Sequence, residues 1–96
     1  MNDKYILEGT TVVPVEDIHT WAHWFETADR VVAQTWITED MCVSTVFLGL
    51  DHQWGDGPPL LFETMVFLAG SERGCTRTST WHEAEQEHQR VVESLQ

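Results

Sequence analysis

The chain is 96 residues long, is 42% hydrophobic and contains five tryptophans, which predicts one domain, residues 1–96, with a single core. Sixteen acidic residues against five lysines and arginines give a net charge of −11, which argues against direct binding to nucleic acid. No apolar stretch approaches the roughly 18 residues of a membrane span, and the N-terminal MNDKYILEG does not resemble a signal peptide, so we expect a cytoplasmic protein.

The first predicted element is extended. Tyr5–Val15 is rich in β-branched residues and predicts one strand or two short ones, with Gly9 at a bulge or turn. Pro14 cannot donate a ladder hydrogen bond, so we expect it at an edge or at a strand end.

The next segment has apolar side chains at helical spacing and predicts a first helix ending near Ala28. These side chains are Ile18, Trp21, Trp24 and Phe25. Glu16 and Asp17 fall in the predicted first turn, where the helix dipole favours negative charge.

Three longer strands follow in the prediction. They are Arg30–Thr38, Met41–Leu50 and Leu60–Leu68. Met41–Leu50 is apolar on both faces, which favours a central place in a sheet. A loop, Asp51–Pro59, separates it from the third strand. After a polar turn over Ala69–Gly74, Cys75–Thr78 predicts a short last strand.

A second helix closes the chain. Thr80 and Glu83 form a T-x-x-E capping box at its start, although Ser79 is a second candidate for the cap. Its apolar stripe consists of Trp81, Ala84, His88, Val91, Val92 and Leu95. The order of elements predicts an α+β fold, in which an antiparallel sheet of four to five strands carries both helices on one face.

Two long motifs resemble a known family. VSTVFLGLDHQWGDGPPLLFETMVF (Val43–Phe67) and STWHEAEQEH near the C-terminus, preceded by Trp24-Phe25-Glu26, resemble small proteins of bacteriophages and prophages that have no assigned activity. The resemblance implies a phage or prophage origin, and it transfers no catalytic or binding residue. His82 departs from the family, in which this position is often acidic.

Few residues suggest chemistry. Asp51 and His52 follow the most apolar strand, and Glu63 lies on the strand after the loop, so the three residues suggest a general base or a ligand site. The alternative is that Asp51 and His52 hold the loop in shape. His19 and His23 have the i,i+4 spacing of a metal-binding pair but lack an evident third ligand. We therefore predict no catalytic residue, metal or cofactor.

Tryptophans and cysteines have simpler interpretations. Trp21, Trp24 and Trp81 lie on helical stripes and predict core packing, whereas Trp54, in a Gly-Pro loop, is a candidate for an exposed anchor in an interface. The alternative is a Trp54 ring folded over the sheet edge. The two cysteines, Cys42 and Cys75, are expected to be reduced thiols.

The acidity itself has two interpretations, solubility or attraction to a basic partner. Our leading hypothesis is a non-enzymatic inhibitor of a host defence nuclease, of anti-CRISPR or anti-restriction type, which acts in the host cytoplasm. Its partner would be a host protein with a basic surface, such as a CRISPR effector complex. The predicted partner-binding residues are Glu16, Asp17, Glu26, Asp29 and Trp54. Two alternatives are a small ligand- or metal-binding protein or enzyme that uses Asp51, His52 and Glu63, and a module that self-associates through a strand edge.

Overall fold

The computed structural model describes residues 2–96. Its first element is a hairpin of two short strands, β1 (Tyr5–Glu8) and β2 (Thr11–Pro14). Gly9 has a φ of 65°, a left-handed conformation that glycine adopts without steric cost, and it lets the chain reverse. Pro14 is the last residue of β2 and pairs with Tyr5. Of the alternatives that the sequence leaves open, the structure has two short strands and a turn at Gly9.

The first helix, α1 (Ile18–Thr27), ends where the sequence predicts, with Ala28 as its C-cap. Asp17 is the N-cap residue rather than a member of the first turn, and its carboxylate accepts a hydrogen bond from the His19 backbone N–H at 3.0 Å. Ile18 is 58% exposed, so the predicted apolar stripe is wrong at this end. Helical spacing shows which residues share a face but not how far along the helix that face is covered.

Four antiparallel strands form the main sheet in the order β3-β4-β5-β6. They are β3 (Val31–Trp36), β4 (Met41–Phe47), β5 (Phe62–Leu68) and β6 (Ser71–Thr78). β4 is an interior strand, as predicted, but it ends three residues before the predicted Leu50. The chain bends at Gly49, whose φ is 78°, and Leu50 then bridges to Lys4 beside the hairpin.

The last strand is longer than predicted. A polar turn over Ala69–Gly74 was expected, but only Ala69 and Gly70 form the turn, with φ values of 51° and 81°. Positive φ at both central residues is typical of a two-residue hairpin turn. β6 therefore begins at Ser71, and the polar residues that suggested a loop lie on an exposed edge strand.

The second helix, α2 (Trp81–Leu95), begins with the predicted capping box. The Glu83 backbone N–H donates to the Thr80 hydroxyl at 3.1 Å, and the Glu83 carboxylate accepts from the Thr80 backbone N–H at 3.1 Å. Because the same carboxylate also accepts from the Ser79 backbone N–H, Ser79 contributes only its main chain to this start. Thr80 is thus the cap, and Ser79 is not.

The core lies between the sheet and the two helices. Phe47, Leu61, Phe62 and Ala84 are completely buried, and six partly buried side chains pack around them: Tyr5, Leu7, Val12, Trp24, Val32 and Trp81. Burial of each large apolar side chain contributes about 1.5–3 kcal/mol. Because this one cluster includes residues of the hairpin, α1 and α2, all three cover the same face of the sheet. The predicted α+β fold is confirmed, with the hairpin as a separate two-stranded sheet.

The predicted core tryptophans of both helices contact this layer. Trp24 and Trp81 stand edge-on against Phe47 and Phe62, with centroid distances of 5.7 and 6.3 Å. Trp21 stacks at a tilt on Phe25. Both cysteines are free thiols, one buried on β4 and the other exposed on β6.

Candidate partner-binding surface

Four of the five predicted binding residues flank α1, and all four are exposed. Glu16 and Asp17 precede the helix, whereas Glu26 and Asp29 lie at its C-terminal end. The ten residues of α1 span about 15 Å, so the structure separates these carboxylates into two pairs instead of joining them in one cluster.

Two of the four carboxylates also stabilise local structure. Asp17 accepts from the His19 backbone N–H and from the Thr20 hydroxyl, both at 3.0 Å, and these hydrogen bonds lower the pKa of its carboxyl below the ordinary 3.8. Asp29 accepts from the backbone N–H of Val31 at 3.0 Å, where the chain enters β3. Removal of either side chain would therefore change the backbone as well as the charge.

The acidic side chains around α1 are not neutralised by ion pairs. Within residues 2–96 the structure has three salt bridges, Lys4–Asp3, Arg77–Glu63 and Arg90–Glu87, and none of them involves an α1 carboxylate. Arg30 follows the helix, but its guanidinium lies 3.9 Å from the centre of the Phe25 ring and donates to the Phe47 carbonyl oxygen.

Charge on the rest of the molecule is mixed. Exposed carboxylates also occur on the hairpin, the β3–β4 turn, β6 and α2, and they include Glu8, Glu39, Asp40, Glu72, Glu85 and Glu93. Three of the five basic residues, Arg73, Arg77 and Arg90, lie on β6 and α2. The acidic residues are thus spread over the surface, and most of the basic residues lie on β6 and α2, although Arg30 contacts Phe25 of α1.

Trp54, the fifth predicted residue, is 94% exposed, so its ring is not folded over the sheet edge. It stands in the loop between β4 and β5, whose first residues pack on α1. The Trp21 indole N–H donates to the carbonyl oxygens of Gly49 at 3.0 Å and of Tyr5 at 3.2 Å. The base of the Trp54 loop and α1 consequently belong to the same end of the molecule.

Within residues 2–96, no hydrogen bond joins the side chains of Asp51, His52 and Glu63, the residues of the alternative site. The Asp51 carboxylate accepts from the backbone N–H groups of Gln53 and Leu60, at 2.7 and 2.9 Å, and closes the loop. Glu63 binds Arg77 on β6, with an N···O distance of 3.1 Å, and His52 is exposed. The interpretation in which Asp51 holds the loop in shape fits these contacts.

His19 and His23 are both exposed on α1. Across the part of the chain that the structure describes, no group of three or more histidines, cysteines or carboxylates lies close enough to hold a metal ion. The helical spacing of the two histidines is therefore not completed by a third ligand there.

A surface that the sequence did not single out lies on the other side of the sheet. Trp36, on the edge strand β3, is 62% exposed, and Val31 at the start of the same strand is 50% exposed. Thr35 contacts His88 of α2, and successive strand residues point to opposite faces, so Trp36 points away from the helices. The sequence alone did not reveal this exposure, because a tryptophan in a strand ordinarily predicts burial.

The chain matches no protein-family model, no curated protein and no solved structure at a significant level. Neither helix within residues 2–96 is long and apolar enough to cross a membrane.

Proposed function

We propose that this protein binds the basic nucleic-acid site of another protein through the carboxylates around α1 and through Trp54, and thereby blocks that site. The partner is a nuclease of a host defence system, such as a CRISPR effector complex or a restriction enzyme. The resemblance to phage and prophage proteins supports this class of partner and an action in the host cytoplasm.

The observation that carries the proposal is the exposure of four carboxylates around α1 without a salt bridge among residues 2–96. Exposed charges act over about 8 Å at physiological ionic strength, and complementary potentials mainly increase the rate of association. A basic channel that normally holds phosphates would attract the same carboxylates.

Trp54 supplies what charge alone does not. Trp54 is 94% exposed, so most of its indole surface is in contact with water. Burial of this surface against a partner would add apolar contact. Tryptophan is among the residues that most often dominate binding energy at interfaces.

The test is the displacement of a labelled DNA duplex from a purified CRISPR effector complex, compared between two variants of equal charge. The α1 variant is Glu16→Gln, Asp17→Asn, Glu26→Gln, Asp29→Asn, in which the asparagine side-chain oxygens can still accept from the backbone N–H groups of His19 and Val31. The control variant is Glu8→Gln, Glu72→Gln, Glu85→Gln, Glu93→Gln. Each loses four negative charges, so that the net charge changes from −11 to −11 + 4 = −7 in both.

We expect the α1 variant to inhibit about tenfold more weakly, and the control variant to differ from the parent by less than about threefold. Parent binding should weaken as salt is raised. Trp54→Ala should weaken binding by about tenfold or more without a change in thermal stability. Equal losses in the two charge variants, or affinity that is independent of salt, would contradict the proposal.

A further inference from the structure

The face of the main sheet opposite the helices carries a row of four side chains. Trp36, Cys42, Phe67 and Glu72 are directly opposite one another across β3, β4, β5 and β6. Because directly paired residues in antiparallel strands point to the same side, all four face away from α2. Cys42 is 4% exposed, so it forms the floor between its two aromatic neighbours.

A groove of about 340 Å³ follows this row at the end of the sheet where β3 turns into β4. Trp36 and Phe67 line it from strands on either side of β4, which places their backbones about 9.6 Å apart, twice the spacing between strands. This separation leaves room for one flat group between the two side chains over the small Cys42. Glu39 and Asp40 complete the lining from the β3–β4 turn.

The groove is held in shape by its two turns. The Ala69 backbone N–H of the β5–β6 turn donates to the Asp40 carbonyl oxygen at 2.8 Å. Within the β3–β4 turn, the Thr38 hydroxyl accepts from the backbone N–H groups of Asp40 and Met41, at 3.2 and 3.1 Å. These hydrogen bonds place the backbone of both acidic residues before any ligand arrives.

The lining has the chemistry that recognises an organic cation. In residues 2–96, no lysine or arginine lines the groove, whereas it contains two aromatic rings and two carboxylates, and Glu72 continues the same row. An aromatic face attracts a cation, and the planar guanidinium of arginine both stacks on aromatic rings and pairs with carboxylates. Trp36 is 62% exposed, so its ring is available for such a contact.

We propose that this groove binds an arginine side chain of a polypeptide partner. The guanidinium lies flat against the Trp36 ring and donates to the carboxylates of Glu39 and Asp40, and the aliphatic stem of the arginine crosses Cys42 towards Phe67. The site does not depend on the surface around α1. Val31 follows α1 closely, and Trp36 is five residues further along β3, or about 17 Å away.

The experiment is a titration followed by ¹H–¹⁵N correlation spectra of the labelled protein, with its indole N–H signals assigned by substitution. The probe is the acetylated and amidated peptide Gly-Gly-Arg-Gly-Gly. The matched peptide carries citrulline, which has nearly the same shape as arginine without the charge. Trp54→Ala is the control variant, because it removes an exposed tryptophan far from the groove along the sheet.

We expect a saturable shift of the Trp36 indole signal with a dissociation constant of about 1 mM, and binding of the citrulline peptide weaker by about fivefold or more. The backbone N–H signals of Glu39, Asp40 and Cys42 should shift with the same saturation. Trp36→Ala, which also removes the indole signal, should abolish these backbone shifts, and Trp54→Ala should leave them unchanged. The pair Glu39→Gln, Asp40→Asn, which retains the turn, should weaken binding by about fivefold.

Three results would overturn the site: equal affinity for the two peptides, shifts confined to the residues around α1, or binding that survives Trp36→Ala. If Trp36→Ala does not retain the parent's dispersed spectrum, Trp36→Phe with the Glu39→Gln, Asp40→Asn pair decides the outcome. Undiminished binding in both of those variants rejects the proposal as well.

Discussion

The Nδ1 atom of His88 lies 2.8 Å from the Thr45 hydroxyl oxygen, and this hydrogen bond joins α2 to the interior strand β4 inside the core. The other ring nitrogen, Nε2, lies 2.8 Å from the Thr35 hydroxyl, and Thr45 is also hydrogen-bonded to Thr64 at 2.8 Å. Four side chains from one helix and three strands thus satisfy one another. Throughout residues 2–96 no buried side-chain nitrogen or oxygen lacks a partner.

This arrangement makes stability depend on pH. Burial lowers the pKa of His88 below its ordinary 6.5, so the unfolded chain takes up a proton at higher pH than the folded chain. The free energy of unfolding should therefore fall as the pH drops below about 6.5. Urea unfolding at several pH values between about 7 and 5 should show this decrease.

His88→Gln should remove most of that slope, and His82→Gln, at an exposed position on the same helix, should retain it. A parent protein that gains stability as the pH falls from about 7 to 5 would contradict the role given to His88.

A second effect, at lower pH, involves Glu87. The hydrogen bond from Arg90 lowers the pKa of Glu87 to about 2, and the associated stability is lost only as the pH falls from about 4.5 towards that value.

The hydroxyl of Thr45 should matter more than its small size suggests. Thr45→Val leaves the Nδ1 atom of His88 and the Thr64 hydroxyl each without a buried hydrogen-bond partner and should lower the free energy of unfolding by about 1–3 kcal/mol. Thr64→Val should cost less, because Thr45 retains His88. Urea unfolding of the two single variants and the double variant measures the coupling, and strictly additive losses would contradict a shared network.

Gly49 should tolerate no side chain. Its φ is 78°, and a Cβ atom would lie 3.2 Å from the Phe25 ring, beside a carbonyl that accepts from Trp21. Gly9, with a φ of 65° and open space around it, is the matched control. Gly9→Ala should cost about 1–2 kcal/mol from backbone strain alone, and Gly49→Ala about 1 kcal/mol or more beyond that, measured by denaturant unfolding. Equal losses would show that the Phe25 ring moves aside at no measurable cost in stability.

The start of α2 can be tested with adjacent residues. Thr80→Ala removes the hydroxyl that accepts from Glu83 and should lower the free energy of unfolding by about 1 kcal/mol. Ser79→Ala should change it by less than about 0.5 kcal/mol, because only the backbone of Ser79 takes part. A larger loss at Ser79 than at Thr80 in thermal or urea unfolding would show that Ser79, and not Thr80, caps the helix.

Elements with strong local signals were predictable. The T-x-x-E box at Thr80 and Glu83 marked the start of α2, and Gly9 marked the hairpin turn, because capping and left-handed backbone are specified by a few neighbouring residues. The polar composition of Ala69–Gly74 predicts a turn over all six residues, but Ser71–Gly74 belong to β6. This strand forms through pairing with β5, which is a contact between residues that local composition does not report.

For the candidate surfaces, the sequence determined which side chains are acidic or aromatic, and the tertiary packing determined which of them are exposed or paired. The acidic excess around α1 and the aromatic character of Trp54 and Trp36 are properties of composition and position. Which carboxylates go without an ion pair, and which indoles remain in water, depends on where β6 and α2 carry the arginines and which sheet face the helices cover. Charge follows from covalent identity, but solvation and pairing are set by neighbours that are distant in the chain and adjacent only after folding.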